Sequence, residues 1–595
     1  MPTRNGNVWA VALTDNDGTI LTAGVSVAMT LIFIRCWSIV CFVAMVFPGT
    51  QTRRRFAALV TLRNSNDPLF AFRELAVYSA RYFRHSWADF MYGVTFCVLA
   101  LLVFGASTAL GIVGTSMLQV GSVASPLAST LYYPENVSRE DRVGTLQRYG
   151  LLAAANLRAL GSAESARGRV DFNFERLGNW DNEETMGRLS YNFSITGVDL
   201  GLQHGTDLAL TVSGSCITEY GWIVHQNETQ DVYNLWGLPN GKNTVVPIDR
   251  YSIANAPTAS FVRHPNGDAQ YLKDGNSSYA VVVASAHRAS IKPGGDFWYK
   301  TEPRVSNYSA VRGVQLWVKR GRPVLSCWQQ DRWRYASHSA NVVYDLRTIP
   351  GIKIKDQLLD LMEIMFSTPV LVDLGIVSGD SALKSRMTSP YGVINAEGSS
   401  MVADMERLIL ATFVRSRNVF ADTTKFYKDY QDNDTSALIN MMSPRGTNIA
   451  SDFVVPDPAI QTFSMVGLIV LAVVLVAELL MELTLRMYQA QSDRLLRESP
   501  PVVGPLSREM SEQSAKPSAS SRFKALSATQ LFRRIYETEE AQPHEHWKCT
   551  QIFPMTNDEM KFKLQRCSHH QCKGHIERRS SLTPPSSART RDETV

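Results

Sequence analysis

The stretch Met91–Val113 reads MYGVTFCVLALLVFGASTALGIV and contains no charged residue. Such a run is rare in helices of soluble proteins and is long enough to cross a hydrocarbon layer of about 30 Å. Two further runs share this character: Val25–Phe47, interrupted by Arg35, and Phe463–Leu483, uncharged until Glu478. The sequence therefore predicts three transmembrane helices, while a mean hydropathy of −0.11 excludes a chain built mostly of membrane spans.

The first run does not resemble a cleaved signal peptide. Its apolar stretch is too long, Asp15 and Asp17 precede it, and no small-residue cleavage pattern follows Phe47. We therefore expect a retained signal anchor.

Basic residues are distributed unevenly around the three runs. Residues 51–90 hold seven arginines against three acids, and residues 486–595 hold 18 basic against 13 acidic side chains. Residues 114–462 instead hold 33 basic and 35 acidic side chains. Because positively charged segments stay in the cytosol, we expect the first two segments inside the cell and the third outside.

The predicted organisation follows from these charges. It comprises a short extracellular N-terminus (1–24), transmembrane helix 1 (25–47), a basic cytoplasmic loop (48–90), transmembrane helix 2 (91–113), an extracellular glycosylated α+β domain (114–462), transmembrane helix 3 (463–483) and a basic, mostly disordered cytoplasmic tail (484–595). We expect a membrane location, most simply the plasma membrane reached through the secretory pathway.

All six Asn-x-Ser/Thr sequons fall between the second and third runs. They predict N-glycosylation, which requires translocation of this segment, although polar loops are also simply rich in Asn and Ser. The six sites are Asn136, Asn192, Asn227, Asn276, Asn307 and Asn433.

Only two of the eight cysteines, Cys216 and Cys327, lie in the large segment. In an oxidising compartment this pair predicts one disulfide, with two buried free thiols as the alternative.

The large segment changes its periodicity part of the way along. Short β-branched and aromatic runs predict strands at Asp207–Val212, Tyr279–Ala284, Val314–Val318 and Val342–Leu346. From Lys353 onward apolar residues follow helical spacing, so we expect a β-rich first part and a helical second part.

Seven of the eleven tryptophans lie in this segment. Exposed aromatic rings would form a flat sugar-binding platform, but tryptophan more often fills the core of a β domain. We expect the core role for Trp180, Trp222, Trp236, Trp298, Trp317, Trp328 and Trp333.

The stretches Pro323–Trp333 and Ser378–Phe420 resemble a widespread group of uncharacterised polytopic membrane proteins of filamentous fungi. The resemblance covers the central half of the chain and implies a fungal surface protein with a glycosylated ectodomain. It brings no catalytic residues with it.

The sequence offers little for catalysis. Gly379-Asp380-Ser381 is similar to the nucleophile block of GDS-type esterases, but no histidine lies between His338 and His544 to activate the serine. We therefore assign no catalytic residue.

The tail contains a candidate zinc site and candidate phosphorylation sites. His546, Cys549, Cys572 and His575 form two short knuckles whose residue types suit tetrahedral zinc, and a disordered histidine-containing tail is the alternative. Ser499, Ser581 and Thr583 lie in kinase-type contexts. The modest positive charge does not indicate nucleic-acid binding.

Two features lie inside the predicted spans. An arginine within a membrane is costly, so we expect Arg35 either to pair with Glu478 or to extend toward an interface. Gly105 and Ala109 place small residues four apart, which favours close helix packing within the chain or in a homo-oligomer.

Taken together, the residues predict a non-enzymatic sensor or binding protein of the cell surface. Its partners would be the lipid bilayer and an extracellular glycan or protein, with the tail serving regulation. The alternatives are an ectodomain enzyme acting on glycans and a subunit of an oligomeric transporter.

Overall fold

The computed structural model describes residues 2–3, 6–46, 53–65, 67–127, 131–134, 141–181, 184–238, 243–248, 256–303, 315–378, 382–387, 393–426, 438–440, 449–498, 526–528, 531, 552–556 and 562–566. The chain divides into two compact units. Residues 10–121 and 459–595 form the helical unit, and residues 1–9 and 122–458 form the mixed unit.

The helices, in chain order, are α1 Asp15–Val46, α2 Arg53–Asn64, α3 Pro68–Tyr82, α4 Trp87–Leu118, α5 Arg142–Gly161, α6 Gly267–Asp274, α7 Val343–Leu346, α8 Asp356–Met365, α9 Val370–Ser378, α10 Lys384–Met387, α11 Met401–Arg417, α12 Val419–Thr423 and α13 Met465–Glu498.

The strands are β1 Pro2–Thr3, β2 Gly6–Asn7, β3 Ala10–Thr14, β4 Gln119–Gly121, β5 Val123–Ala124, β6 Tyr132–Pro134, β7 Val170–Asn179, β8 Thr185–Thr196, β9 Leu208–Glu219, β10 Ile223–Gln226, β11 Gln230–Tyr233, β12 Thr244–Pro247, β13 Thr258–Arg263, β14 Asn276–Ala284, β15 Ala289–Ser290, β16 Thr301–Pro303, β17 Leu316–Val318, β18 Val324–Tyr335, β19 His338–Ala340, β20 Leu438–Asn440, β21 Val455–Pro456, β22 Ile460–Ser464, β23 Ile552–Thr556 and β24 Phe562–Arg566.

In the described part of the helical unit, three helices are long and apolar enough to span a membrane. The qualifying stretches are Asp15–Met45, Trp87–Leu118 and Met465–Leu485. They overlap most of the three apolar runs of the sequence, but α1 begins ten residues before Val25, and Phe463 lies in β22 instead of the third helix. These spans fit a membrane location.

A three-stranded sheet joins one end of the three long helices. β22 pairs antiparallel with both β3 and β4, and each of these strands is continuous with a long helix. The N-termini of α1 and α13 and the C-terminus of α4 therefore lie on the same side, as three alternating spans require.

The charged side chains within the spans form a different pair from the predicted one. Arg35 lies 3.7 Å from Glu482, whereas Glu478 accepts a hydrogen bond from the Cys36 thiol at 3.2 Å. The acid that pairs with Arg35 therefore lies one helical turn further along α13 than predicted. The predicted partner, Glu478, contacts Cys36 instead. A Cβ added at Gly105 would meet no atom within 4 Å, so this glycine does not serve close packing inside the chain.

A short piece of the tail docks on the opposite end of the helical unit. Leu526 is buried within an apolar cluster that includes Ala58, Leu59 and Leu62 of α2. The Asn64 amide donates to the Leu526 carbonyl at 3.0 Å and accepts from the Ala528 backbone at 2.6 Å. We call residues 526–528 the tail latch.

The mixed unit is built on one antiparallel sheet, the main sheet. Its strand order is β13-β14-β18-β9-β8-β7, with β19 paired to the end of β18. One face packs on helices: Phe193 of β8 meets Phe413 of α11 edge-on, and Trp333 of β18 meets Phe366 in the same way. This inner face is the core, and its β-rich first part and helical second part agree with the sequence prediction.

One predicted strand is a helix. Val342–Leu346 contains the short helix α7, since Val343 and Leu346 are buried at a spacing of three while Tyr344 is exposed. The consecutive helices α8 and α9 are bent by 57° and together are also apolar enough for a span, but both are buried in the core of the mixed unit.

Candidate functional site

The main sheet has a second, outward face that is open along part of its length. On β18 the side chains from Ser326 to Arg334 alternate, with every second residue buried beneath the sheet and the intervening residues exposed or half-buried. We call the outward set the open face. Its members include Asp171, Asn173 and Glu175 on β7, Arg188, Ser190, Asn192 and Ser194 on β8, Thr211, Ser213, Ser215 and Ile217 on β9, Asn276 and Ser278 on β14, and Ser326, Trp328, Gln330, Arg332 and Arg334 on β18.

Trp328 is the one large aromatic side chain on this face among the described residues, and it is 49% exposed. Its direct cross-strand neighbours are Ser278 on β14 and Ser215 on β9. Because both neighbours are small, the indole stands above the surrounding surface. Tryptophan so placed offers an apolar plane with one hydrogen-bond donor at its edge.

The rest of the open face is mainly polar. The row through Trp328 continues to Ser190 on β8 and Asn173 on β7, so five strands contribute to one line of side chains. At a strand spacing of about 4.8 Å, this row is roughly 19 Å long. Hydroxyl and amide groups of this kind both donate and accept hydrogen bonds.

The other end of the outward face is covered. Ala280, Val282 and Val324 are buried there beneath the small sheet β10-β11-β12, which contributes Tyr233 and Val246. Trp328 lies four residues along β18 from Val324 and is therefore close to the border between the covered and open parts.

A disulfide fixes the strands beneath Trp328. Cys216 on β9 and Cys327 on β18 are direct cross-strand partners and are bonded, with a Cα–Cα distance of 4.0 Å. Both cysteines point into the core, so the bond lies on the opposite side of the sheet from the open face. It links the two central strands that carry Trp328 and Ser215.

A buried hydrogen-bond chain supports the same strands from below. The Tyr191 hydroxyl lies 3.1 Å from that of Tyr279 and donates to Gln329 at 2.8 Å, and Gln329 donates to Asp331 at 2.7 Å. Tyr271 of α6 donates to the other oxygen of Asp331. Burial raises the pKa of Asp331 to about 6, although both hydrogen bonds oppose this shift. All five side chains are buried, so we interpret their role as structural.

A separate charged cluster lies at the start of β8. The Glu184 carboxylate contacts Lys300 and Lys319, each at 3.2 Å, and Arg322 at 3.1 Å. Burial alone would raise the pKa of Glu184, but these cations, Arg322 foremost, lower it to about 2. The ion pairs join three separate stretches of chain, so we interpret the cluster as stabilising the fold.

A small pocket between α5, α9 and α11 has too little space for a ligand. It has a volume of about 10 Å³, which is roughly the space of one water molecule. Its lining includes Arg148, Asn156, Asp373 and Arg415. A surface such as the open face is therefore the better candidate for binding.

The described residues include three of the six sequon asparagines. Asn192 and Asn276 both lie on the open face, in the same cross-strand row, with Ser213 and Gln330 between them. Asn227 lies beyond β10, where its side-chain oxygen accepts from the backbone of Thr229 and Gln230. Asn136, Asn307 and Asn433 lie outside the described residues.

The candidate residues of the tail also lie outside the described part of the chain. They are Ser499, Ser581, Thr583, His546, Cys549, Cys572 and His575. Within the described part, no group of three or more His, Cys, Asp or Glu side chains is placed to hold a metal ion.

The expectation that the tryptophans fill the core holds only for some of them. Trp298, Trp333 and Trp317 are buried, whereas Trp180 and Trp328 are about half exposed. The sequence PVLSCWQQDRW already indicates that Trp328 faces outward. In a strand, Trp328 lies on the same face as Ser326, Gln330 and Arg332, which are polar. A strand reading of that stretch puts Trp328 on the polar face.

Comparison with known proteins concerns the mixed unit. A family model with the description Domain of unknown function (DUF8406) matches residues 153–455, about half of the chain, and this range contains the whole main sheet. Neither the curated proteins nor the solved structures include a match to this sequence. The chain therefore belongs to the DUF8406 family of domains of unknown function.

Proposed function

We propose that this chain is a non-enzymatic binding protein of the cell surface, whose open face binds an extended carbohydrate such as a wall polysaccharide. The observation that carries the proposal is the exposed indole of Trp328 above a row of small polar side chains. The C–H face of a pyranose ring packs on an indole plane, while its hydroxyl groups exchange hydrogen bonds with serine and asparagine. The resemblance to fungal membrane proteins is in keeping with a polysaccharide wall as the source of the ligand.

The arrangement of acids favours binding over hydrolysis. Two exposed carboxylates, Asp171 and Glu175, lie on the open face in β7, on either side of Asn173, and are four residues apart. At about 3.4 Å per residue they are separated by roughly 14 Å, whereas glycoside hydrolases need two carboxyl groups about 5–9.5 Å apart. A glycan-modifying enzyme therefore stays the second candidate.

The placement outside the cell is part of the same proposal. The basic segments 51–90 and 486–595 favour the cytosol, and all six sequons fall in the intervening segment. The shared side of the three helix ends is compatible with this orientation. We propose the plasma membrane, reached through the secretory pathway, with the tail in the cytosol.

The orientation is tested by removing N-glycans enzymatically. We expect faster gel migration of the wild-type chain and no change in a variant with all six sequon asparagines replaced by glutamine. An unchanged wild-type band would contradict the placement.

The binding proposal is tested with the full chain in lipid nanodiscs on a glycan array, followed by calorimetric titration of the strongest polysaccharide. Trp328→Ala should lower affinity at least about tenfold, since truncation of a tryptophan anchor has effects of this size. The matched control is Trp180→Ala, an equally exposed tryptophan that stacks on Tyr220 away from the open face. Equal affinity of both variants, or turnover of the glycan, would refute the proposal.

A further inference from the structure

We propose that the N-glycan on Asn276 packs on Trp328 and occupies the open face until an external glycan displaces it. This inference rests on the proposed placement of the mixed unit outside the cytosol. It assigns a regulatory role to one of the two sequons on the open face and none to the other.

The register of the main sheet brings the two residues together. Asn276 on β14 lies directly opposite Gln330 on β18, and Trp328 precedes Gln330 by two residues. Asn276 and Trp328 are therefore diagonal neighbours on one face, about 7–8 Å apart at the backbone and within reach of a large aromatic side chain.

The backbone at Asn276 is held in place. The carboxylate of Asp274 accepts a hydrogen bond from the Asn276 backbone at 3.0 Å, and Gly275 adopts a left-handed conformation with φ of 73°. This turn ends α6 and starts β14, so Asn276 is the first residue of its strand. A sugar attached there starts from a fixed point on the open face.

The sugar has a surface to pack on. The first residue of an N-glycan is N-acetylglucosamine, whose ring presents a face of C–H groups. Trp328 is about half exposed, and the neighbouring serines at 278 and 215 leave its indole plane free of bulky side chains. Packing of the ring on the indole removes apolar surface of both from water.

The second sequon on the face supplies a matched comparison. Asn192 lies in the same row as Asn276 but three strands away, which is roughly 14 Å. Its neighbours on the open face are Asp171, Ser190, Ser194 and Ser213. A glycan on Asn192 therefore has polar side chains beneath it where the Asn276 glycan has Trp328.

Occupation of Trp328 would lower affinity for external carbohydrate. A site that is open for only a fraction of the time binds with its intrinsic affinity reduced by that fraction. Removal of the Asn276 glycan should raise affinity for an external polysaccharide roughly threefold or more, whereas removal of the Asn192 glycan should not.

The direct test is hydroxyl-radical footprinting of the full-length glycoprotein in nanodiscs, with oxidation of Trp328 measured on its peptide by mass spectrometry. Oxidation should rise roughly threefold or more in Asn276→Gln, in proportion to the newly exposed surface, and stay at the wild-type level in Asn192→Gln. Trp180 serves as the internal reference. Trimming the glycans to the first N-acetylglucosamine should preserve the protection.

Two variants of Ser278 separate loss of the glycan from loss of the asparagine. Ser278→Ala removes the sequon and should match Asn276→Gln, while Ser278→Thr keeps the sequon and should match the wild type. Equal Trp328 oxidation with and without the Asn276 glycan would overturn the inference, as would an unglycosylated Asn276 in a chain that carries a glycan on Asn192. A chain with no N-glycan at any sequon would instead refute the placement on which the proposed function rests.

Discussion

Asp331 is the buried acid whose titration has the largest consequence for the sheet beneath Trp328. It is 2% exposed, and burial raises its pKa to about 6 from an ordinary value of 3.8. Tyr271 and Gln329 each donate a hydrogen bond to one oxygen of its carboxyl group. The folded chain therefore binds a proton more readily than the unfolded chain.

The sign of the pH dependence follows from this raised pKa. Protonation of Asp331 adds roughly 2–3 kcal/mol to the free energy of unfolding below about pH 4, and this contribution is lost as the pH rises through 6. Asp331→Asn should flatten the fall in thermal midpoint between pH 5 and pH 7, measured on the full chain in detergent.

Asp404 titrates in the same interval, since burial also raises its pKa to about 6. The single variant should consequently remove only part of the slope, and Asp331→Asn/Asp404→Asn should remove more. A slope identical to wild type in both variants would rule out this role for the buried acids.

The tail latch is a contact between distant parts of the chain that no pattern in the sequence predicted. The Asn64 side chain satisfies one carbonyl and one amide of residues 526–528, and Leu526 completes the apolar cluster on α2. Removal of this amide leaves two backbone groups without their partners, which weakens docking.

Asn64→Ala should therefore speed tryptic cleavage next to the tail latch, since trypsin cuts after basic residues and Lys524 precedes Leu526 by two positions in the sequence. We expect cleavage after Lys524 to become about five- to tenfold faster, corresponding to loss of about 1–1.5 kcal/mol of docking free energy. The readout is limited proteolysis of the full chain in nanodiscs. Thr61→Ala, one turn earlier on α2, is the control, and equal cleavage rates in the two variants would argue against the latch.

The helices with long apolar runs or a regular spacing of apolar residues could be predicted from the sequence. The three long helices are uncharged over many residues, and α8 and α11 keep one apolar face, so local patterns identify them. Their ends were less accessible: α1 extends back to Asp15 because Asp15 and Asp17 occupy its first turn, where acids are favourable. The prediction of a strand at α7 is wrong because four residues are too few to distinguish helical spacing from the alternation of a strand.

Contacts between distant residues depend on tertiary structure and could not be derived from spacing. The Cys216–Cys327 disulfide was anticipated only because no third cysteine competes for it in its segment. The partner of Arg35 was misplaced by one turn, because two acids four residues apart on α13 lie on the same helix face. The exposure of Trp328 could have been predicted from the alternation of polar and apolar residues in its own strand. The general preference of tryptophan for the core led to the wrong prediction.

At the scale of the whole molecule, two units of different physical character share one chain. The helical unit exposes apolar side chains along α1, α4 and α13, as a lipid environment requires. The mixed unit instead has an ordinary apolar core beneath a polar open face. The proposed binding of external carbohydrate requires the open face to be accessible from outside the cell.

Arg334 is the position best suited to test this accessibility. It is exposed, lies at the end of the open face and is separated by four residues from Gln330, which faces the Asn276 sequon. Arg334→Cys should leave the fold intact, because surface substitutions away from buried partners change stability by only about 0.5 kcal/mol.

The decisive measurement is labelling of Arg334→Cys on intact cells with a membrane-impermeant maleimide, compared with the wild-type chain before and after permeabilisation. We predict that the variant is labelled on intact cells, while the wild-type chain reacts only once permeabilisation exposes the tail cysteines. Labelling of the variant at position 334 only after permeabilisation would contradict the account.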